Sequence, residues 1–175
     1  MDDIFTEEEI LELNMLYNDS RSERVKRLHN LFYLEQRIPG ADKTKWIRDK
    51  LKKQFKLDAR QVYFLDYTKG SFTRRHDDNS DQSKCTVITL IEKSDDLIGG
   101  ETIVYNKHWK RNDYEPFDVN RYSRRGSQDD ANGDKIIPHV IDLKVGESVV
   151  YDGEVEHEVA QVLSGNRKVL VSWLI

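Results

Sequence analysis

Residues 157–173 read HEVAQVLSGNRKVLVSW, two apolar, β-rich segments separated by a Ser-Gly-Asn turn. Short segments on either side of a turn signal are typical of neighbouring strands in an all-β protein. If the two segments pair as a hairpin, Arg167 returns close to His157, where its guanidinium could bind a carboxylate through two hydrogen bonds. The alternative interpretation is an ordinary surface arginine that follows a turn.

Other β-rich segments precede this stretch and are separated from one another by Gly, Asp and Asn turns. These segments cover residues 61–67, 85–92, 102–105, 139–143 and 147–152. A tight turn is predicted at residues 145–147 (Val-Gly-Glu), between the last two of them. Many short strands with turn signals between them predict a sandwich or a barrel.

The first 60 residues instead show helical spacing. Thr6 and Glu9 have the spacing of a capping box, which predicts the start of a first helix. Residues 24–36 predict a second helix that ends before Pro39-Gly40, and Asp42 is the predicted N-cap of a third helix. The apolar face predicted for the first helix comprises Ile10, Leu11, Leu13, Met15, Leu16 and Tyr17.

Composition limits the classes of protein to consider. A length of 175 residues favours one domain, and a net charge of −4 makes a nucleic-acid partner unexpected. The single cysteine, Cys85, cannot form an intrachain disulfide, and together with the acidic N-terminus it predicts a cytoplasmic location. No apolar run approaches the ~18 residues that span a membrane, so no membrane association is expected.

A polar segment, residues 106–135, interrupts the β-rich region and has no sustained period. An irregular segment of this length inside a compact domain is generally either functional or disordered. Its aromatic residues and arginines make it a candidate lid over a substrate, and a disordered insertion is the alternative.

Residues 72–80 read FTRRHDDNS, in which one histidine precedes two aspartates. On an extended segment His76 and Asp78 share one face, whereas Asp77 points to solvent or to a neighbouring arginine. A third metal ligand could come from His108, His139 or His157. Two histidines and one carboxylate form the facial triad of non-haem Fe(II) sites, and a solvated polar turn is the alternative.

These segments resemble, in their order, the motifs of a known family, the 2-oxoglutarate- and Fe(II)-dependent dioxygenases. Within that family the chain is most similar to the prolyl 4-hydroxylase-type catalytic domain, from about residue 61 to the C-terminus. The matching residues are Tyr67, Gly70 and Phe72 before His76 and Asp78; Gly99, Gly100, Glu101 and Thr102; Gly146, Glu147 and Tyr151; and His157, Gly165, Arg167 and Trp173.

The resemblance implies a mainly β fold with N-terminal helices, whose core is a double-stranded β-helix, a cupin-like jelly roll. Residues 1–175 would form a single dioxygenase domain, with residues 1–60 as a helical buttress and residues 61–175 as the β-helix core. Residues 106–135 would be an insertion or lid within that core.

The resemblance also implies a set of site residues. Fe(II) would be bound by His76, Asp78 and His157, and Arg167 would pair with the distal carboxylate of 2-oxoglutarate. Tyr67 and Thr102 would form hydrogen bonds with this cosubstrate, and Trp173 would pack in or near the same site. The cofactor set would also include O2 and ascorbate.

The implied activity is hydroxylation, with a prolyl residue in a peptide or protein as the first candidate substrate. A free amino acid or another small molecule is the enzymatic alternative. A non-catalytic binding module with the same fold is the third possibility, and an intact ligand set argues against it.

Overall fold

The computed structural model describes residues 4–28, 31–79, 82–105, 115–116 and 138–175. Within them, helix α1 spans Glu7–Asn18 and helix α2 spans Lys45–Phe55. The strands are β1 Arg21–Leu28, β2 Leu31–Ile38, β3 Ala59–Tyr67, β4 Phe72–His76, β5 Cys85–Lys93, β6 Thr102–Tyr105, β7 Glu115–Pro116, β8 Pro138–Ile141, β9 Ser148–Asp152, β10 Glu156–Val159 and β11 Arg167–Leu174. The mainly β fold class is therefore confirmed.

Two of the three predicted helices are present. The capping box of α1 forms as expected, because the Glu9 amide donates to Thr6 Oγ1 at 3.3 Å and the Thr6 amide donates to Glu9 Oε2 at 2.8 Å. Helix α2 begins after Thr44, so the prediction of Asp42 as its N-cap is wrong.

The apolar face predicted for α1 is too wide. Leu11 and Met15 are 67% and 72% exposed, whereas Ile10, Leu13, Leu16 and Tyr17 are buried. The buried stripe follows the 3.6-residue helical repeat, and Leu11 and Met15 lie outside it.

The helix predicted over residues 24–36 is wrong, because this segment forms the antiparallel pair β1 and β2. Strand β2 also pairs with β3 through Glu35 and Asp66, and with β4 through Leu31 and Thr73. Backbone pairing on both sides outweighs the weak local preference for helix, as tertiary context often does.

The strands pair in the order β7-β8-β6-β10-β4-β2-β3-β11-β5-β9, with β1 paired to β2. We call β3, β11, β5 and β9 the major half, and β7, β8, β6, β10 and β4 the minor half; β2 joins the two. Every pairing is antiparallel. This arrangement is the jelly roll that the resemblance implies.

The hairpin considered between residues 157–163 and 167–174 does not form. Strand β10 pairs with β4 and β6 in the minor half, whereas β11 pairs with β3 and β5 in the major half. The connecting residues form backbone hydrogen bonds elsewhere: the Val162 amide donates to the Ser71 carbonyl, and the Leu163 amide donates to the Ile98 carbonyl. Strands β10 and β11, although consecutive along the chain, thus lie in opposite halves of the fold.

Two apolar clusters place the site within the fold. The first packs α1 and α2 against the outer face of the major half, with Leu13, Ile47 and Phe64 among its members. The second lies between the two halves and includes Leu65 and Val104. Strand β11 shows the alternation that separates them, with Leu170 and Leu174 in the first cluster and Val169 and Val171 in the second.

Of the predicted lid, only Glu115–Pro116 are described, as strand β7 on the edge of the minor half. The remainder of residues 106–135 lies outside the described residues. The single-domain organisation stays a prediction. No helix among the described residues is long and apolar enough to cross a lipid bilayer.

Candidate metal and anion site

Three predicted ligands meet between β4 and β10. His76 lies at the end of β4 directly opposite His157 of β10, and Asp78 follows β4 by two residues. The potential ligand atoms of these three residues all lie within 4.8 Å of one another. His76 Nε2 is 3.6 Å from Asp78 Oδ1, and His157 Nε2 is 3.7 Å from Asp78 Oδ2. We call His76, Asp78 and His157 the triad.

Backbone carbonyl groups orient both imidazoles. His76 Nδ1 lies 2.6 Å from the Arg74 carbonyl oxygen, and His157 Nδ1 lies 3.0 Å from the Val155 carbonyl oxygen. A carbonyl oxygen only accepts, so Nδ1 of each ring carries the proton and donates it. Each Nε2 therefore presents its lone pair towards Asp78, which is the tautomer needed for metal binding.

The Asp78 carboxyl group is buried, with 2% of the residue exposed. Burial raises its pKa, while the hydrogen bond from Thr86 and the nearby His76 act in the opposite direction. Thr86 Oγ1 donates to Asp78 Oδ2 at 2.5 Å, and the Asp78 amide donates to the Gly153 carbonyl oxygen. A cation between the three side chains would favour the charged carboxylate.

The protonation state of His157 also suits a metal ligand. Burial, and then the neighbouring His76, lower the pKa of His157 from 6.5 to about 3. The ring is therefore neutral near pH 7, so no proton competes with a metal for Nε2 of His157. A carboxylate and two neutral imidazoles are the donor set of the facial triad, so these residues fit Fe(II).

The other candidates from the sequence lie elsewhere. Asp77 is exposed, and its Oδ1 accepts from the Asn79 amide at 3.0 Å, which places it in a turn away from the triad. His139 lies on β8, two strands from His157, with Val104 of β6 between them. It is not part of the described group that could hold a metal. His108 lies outside the described residues.

Arg167 begins β11 and is 4% exposed. Its guanidinium donates to the Gly100 carbonyl oxygen and, from Nη2, to Thr102 Oγ1 at 3.2 Å. The guanidinium carbon lies 5.5 Å from the centre of the Tyr67 ring. No carboxylate among the described residues lies within ion-pair distance of Arg167, and burial lowers its pKa. A buried charge without an ionic partner is costly, so this position suits an anion.

The Gly-Gly pair of the sequence motif makes room for this arginine. Gly99 and Gly100 both have positive φ angles, of 79° and 74°. A Cβ atom on Gly100 would lie 3.3 Å from Arg167 Cδ and 2.9 Å from Val162 Cγ2. Glycine therefore permits both the backbone conformation and the close approach of Arg167.

The strand register relates Arg167 to the triad. On β10, His157 is opposite Val104 and Val159 is opposite Thr102, the residue that Arg167 contacts. Two residues along a strand correspond to about 7 Å. Tyr67 of β3 also reaches the minor half, because its hydroxyl is 2.7 Å from the hydroxyl of Thr73 on β4. The structure thus brings together the triad, Arg167, Tyr67 and Thr102.

Trp173 lies further along β11, on the face that meets the inner cluster. Its ring packs edge-on against Tyr63 with the ring centres 5.7 Å apart. Its Cα partner on β5 is Thr86, the residue that holds Asp78. Trp173 is therefore separated from the triad residue Asp78 only by Thr86.

Sequence reasoning missed two residues of the site, Thr86 and Tyr151. Both are buried, and they are opposite each other on β5 and β9. The Tyr151 ring centre lies 4.5 Å from that of His157. Burial, and then the charge of Asp78, raise the pKa of Tyr151 well above its ordinary value, so the phenol keeps its proton. The alternation of Val149 and Tyr151 in β9 could have placed Tyr151 on the inner face.

No model of a protein family matches this sequence, and no curated protein matches it either. Solved structures do match over nearly the whole chain. An oxidoreductase of the 2OG-Fe(II) oxygenase family from Burkholderia pseudomallei aligns with a TM-score of 0.65 at 16% identity, covering 98% of this chain and 80% of that one. A prolyl-4-hydroxylase from Pseudomonas putida aligns with a TM-score of 0.60 at 16% identity, covering 99% and 89%.

A third similar structure is HygX from Streptomyces hygroscopicus, solved with nickel, 2-oxoglutarate and hygromycin B. Its TM-score is 0.65 at 12% identity, and the alignment covers 98% of this chain and 80% of HygX. Identities this low establish a shared fold and leave the substrate open. This chain therefore has the prolyl 4-hydroxylase-like jelly-roll fold of the 2-oxoglutarate- and Fe(II)-dependent oxygenases.

Proposed function

We propose that this protein is a hydroxylase that uses Fe(II) and 2-oxoglutarate. The observation that carries the proposal is that two features lie close together: the triad of two imidazoles and a carboxylate, and the buried Arg167 guanidinium, which has no ion-pair partner among the described residues. A metal-binding set alone fits many functions. A metal-binding set beside a buried guanidinium fits a chelating oxo acid with a second carboxylate.

The triad would hold the iron. His76, Asp78 and His157 would each supply one ligand, and Fe(II) bound by such a set supplies dioxygen chemistry. Thr86 keeps Asp78 in place, and the Arg74 and Val155 carbonyl groups keep both rings in the ligating tautomer. Supporting contacts of this kind commonly tune metal affinity.

Arg167 would bind the distal carboxylate of 2-oxoglutarate. Arg167 contacts Thr102, which lies two residues along the paired strands β6 and β10 from the position of His157. This offset is about 7 Å, a distance that a five-carbon dicarboxylic acid can bridge. Thr102 and Tyr67 lie at the Arg167 end and could add hydrogen bonds to the same carboxylate. The low polarity of a buried site strengthens each of these contacts.

In the overall reaction, 2-oxoglutarate and O2 would give succinate and carbon dioxide. One oxygen atom would enter succinate, and the other would be inserted into a C–H bond of the substrate. The chain's contribution would be to hold the reactants close together and to exclude water. Ascorbate as a further cofactor stays a prediction.

For the substrate, we propose a prolyl residue in a peptide or protein. A prolyl-4-hydroxylase is among the similar structures. The alternative, a small molecule, is supported by HygX, which was solved with hygromycin B. A non-catalytic module has less support, since it would need neither the ligand tautomers nor a buried guanidinium beside the triad.

The test is succinate release with Fe(II) and 2-oxoglutarate, comparing a library of proline-containing peptides with free amino acids. We expect peptides to stimulate release, and we expect Arg167→Ala to raise the 2-oxoglutarate concentration required by at least tenfold. Stimulation by free amino acids alone would reject the peptide substrate. An unchanged 2-oxoglutarate requirement in Arg167→Ala would remove Arg167 from the cosubstrate site.

A further inference from the structure

The Tyr151 hydroxyl is an unpaired polar group beside the triad. Tyr151 is 2% exposed, and its hydroxyl oxygen has no hydrogen-bond partner among the residues that the structure describes. Buried polar groups are nearly always paired, because leaving one unpaired costs about 1–3 kcal/mol. A phenylalanine would fill the same space without this cost, so the hydroxyl requires an explanation apart from packing.

Tyr151 lies between the two ends of the proposed cosubstrate site. At the metal end, its ring packs against His157 with the centres 4.5 Å apart, and its Cα partner Thr86 donates to Asp78. At the other end, Tyr151 belongs to the same inner cluster as Tyr67, whose ring centre lies 5.5 Å from the Arg167 guanidinium carbon. An elongated dicarboxylate that reaches from the triad to Arg167 would therefore pass this hydroxyl.

The chemistry of the hydroxyl defines its partner. A phenol hydroxyl donates one hydrogen bond, and the best acceptor is a carboxylate or a keto oxygen. Asp78, the carboxylate of the triad, accepts a hydrogen bond from Thr86 and forms none with Tyr151. The described residues therefore supply no acceptor for this hydroxyl, and a molecule bound at the triad could supply one.

We propose that the Tyr151 hydroxyl donates a hydrogen bond to an oxygen atom at the 2-oxo acid end of the bound cosubstrate and thereby orients it towards the triad. This inference rests on the proposed function above. Tyr67 and Thr102 would serve the distal carboxylate, and Tyr151 would be a separate positioning residue at the opposite end.

The experiment compares Tyr151→Phe with Tyr17→Phe, which removes the same atom from a buried tyrosine on the helix side of the major half. Each protein is loaded with nickel(II), which prevents turnover, and titrated with 2-oxoglutarate by calorimetry. We expect Kd to rise about tenfold in Tyr151→Phe, as expected for losing one hydrogen bond to a charged group, and to be unchanged in Tyr17→Phe.

Thermal melting of the metal-free proteins is the second measurement. Because the Tyr151 hydroxyl has no described protein partner, Tyr151→Phe should melt no lower than the wild type. Tyr17→Phe should melt lower, because the Tyr17 hydroxyl donates to Asp66 Oδ2 at 2.8 Å. Opposite effects on binding and on stability separate a positioning role from a structural one.

Three results would overturn the inference. An unchanged Kd in Tyr151→Phe would mean that the hydroxyl binds only water. A lower melting temperature of metal-free Tyr151→Phe would mean that the hydroxyl has a partner within the protein. If the nickel-loaded wild type binds no 2-oxoglutarate, the proposed function fails and the role of Tyr151 fails with it.

Discussion

At the residue scale, Asp78 is a buried carboxyl group with few compensating contacts. One hydrogen bond reaches its side chain from Thr86, and Nε2 of His76 and Nε2 of His157 lie 3.6 and 3.7 Å from its carboxyl oxygens, beyond hydrogen-bond distance. Burial raises the pKa of Asp78, so the charged form is disfavoured until a cation arrives. Metal binding should therefore stabilise the folded protein, because the ligands meet only in the native state.

Gly100 provides a residue-scale prediction about the anion end of the site. Gly100→Ala places a Cβ atom 3.3 Å from Arg167 Cδ, so Arg167 must shift and 2-oxoglutarate should bind more weakly. Gly70→Ala is the matched control, because Gly70 also has a positive φ, of 93°, but has open space around the position of a Cβ atom. Calorimetric titration of both nickel-loaded variants measures the difference.

Gly70→Ala should lose about 1 kcal/mol of unfolding free energy, the cost of placing an L-residue in the left-handed region, and Gly100→Ala should lose more because its Cβ atom also lies 2.9 Å from Val162 Cγ2. Only Gly100→Ala should also raise the Kd for 2-oxoglutarate. Equal affinities in Gly100→Ala and Gly70→Ala would show that the position of Arg167 does not determine binding.

At the element scale, the site depends on β10 and β11 lying in opposite halves of the jelly roll. Strand β10 carries His157 next to β4, and β11 carries Arg167 across the inner cluster. A simple hairpin would place both residues in one half. The crossing of the chain between residues 160 and 166 is what puts the metal ligands and the guanidinium on facing walls.

Helix α1 is fixed to the major half by a buried polar link. The Tyr17 hydroxyl donates to Asp66 of β3, and Arg37 and Lys168 lie over the Tyr17 ring at 4.4 Å and 4.6 Å from its centre. We expect Tyr17→Phe to lower the unfolding free energy by about 1–3 kcal/mol, because Asp66 loses a hydrogen bond in a buried setting. Urea denaturation measures this, and an unchanged midpoint would show that the link contributes nothing.

Residues 24–36, which were predicted as a helix, show why part of the fold could not be predicted from the sequence. Residues 24–36 have apolar residues at helical spacing, yet they form β1 and β2. The partners of β2 are Glu35 with Asp66 and Leu31 with Thr73, separated by 31 and 42 residues along the chain. Pairings at this separation leave no local signal, whereas the capping box of α1 is local and was predictable.

At the scale of the whole molecule, the order of motifs along the chain predicted the jelly roll, and the structure brings the candidate residues close together. His76, Asp78, His157, Arg167, Tyr67 and Thr102 could be named because each belongs to a short local pattern. Alternation along β9 indicates only that Tyr151 faces inwards, whereas the roles of Thr86 and Tyr151 depend on the register of β5 with β9 and on contacts with Asp78 and His157.

The central claim is that the triad holds Fe(II) with 2-oxoglutarate chelated to it. The most direct measurement is the visible absorption of the anaerobic protein after addition of Fe(II) and 2-oxoglutarate. We expect a weak charge-transfer band in the wild type and in Asp77→Ala, whose side chain only closes a turn, and no band in His76→Ala. The absence of a band in the wild type, or an undiminished band in His76→Ala, would contradict the account.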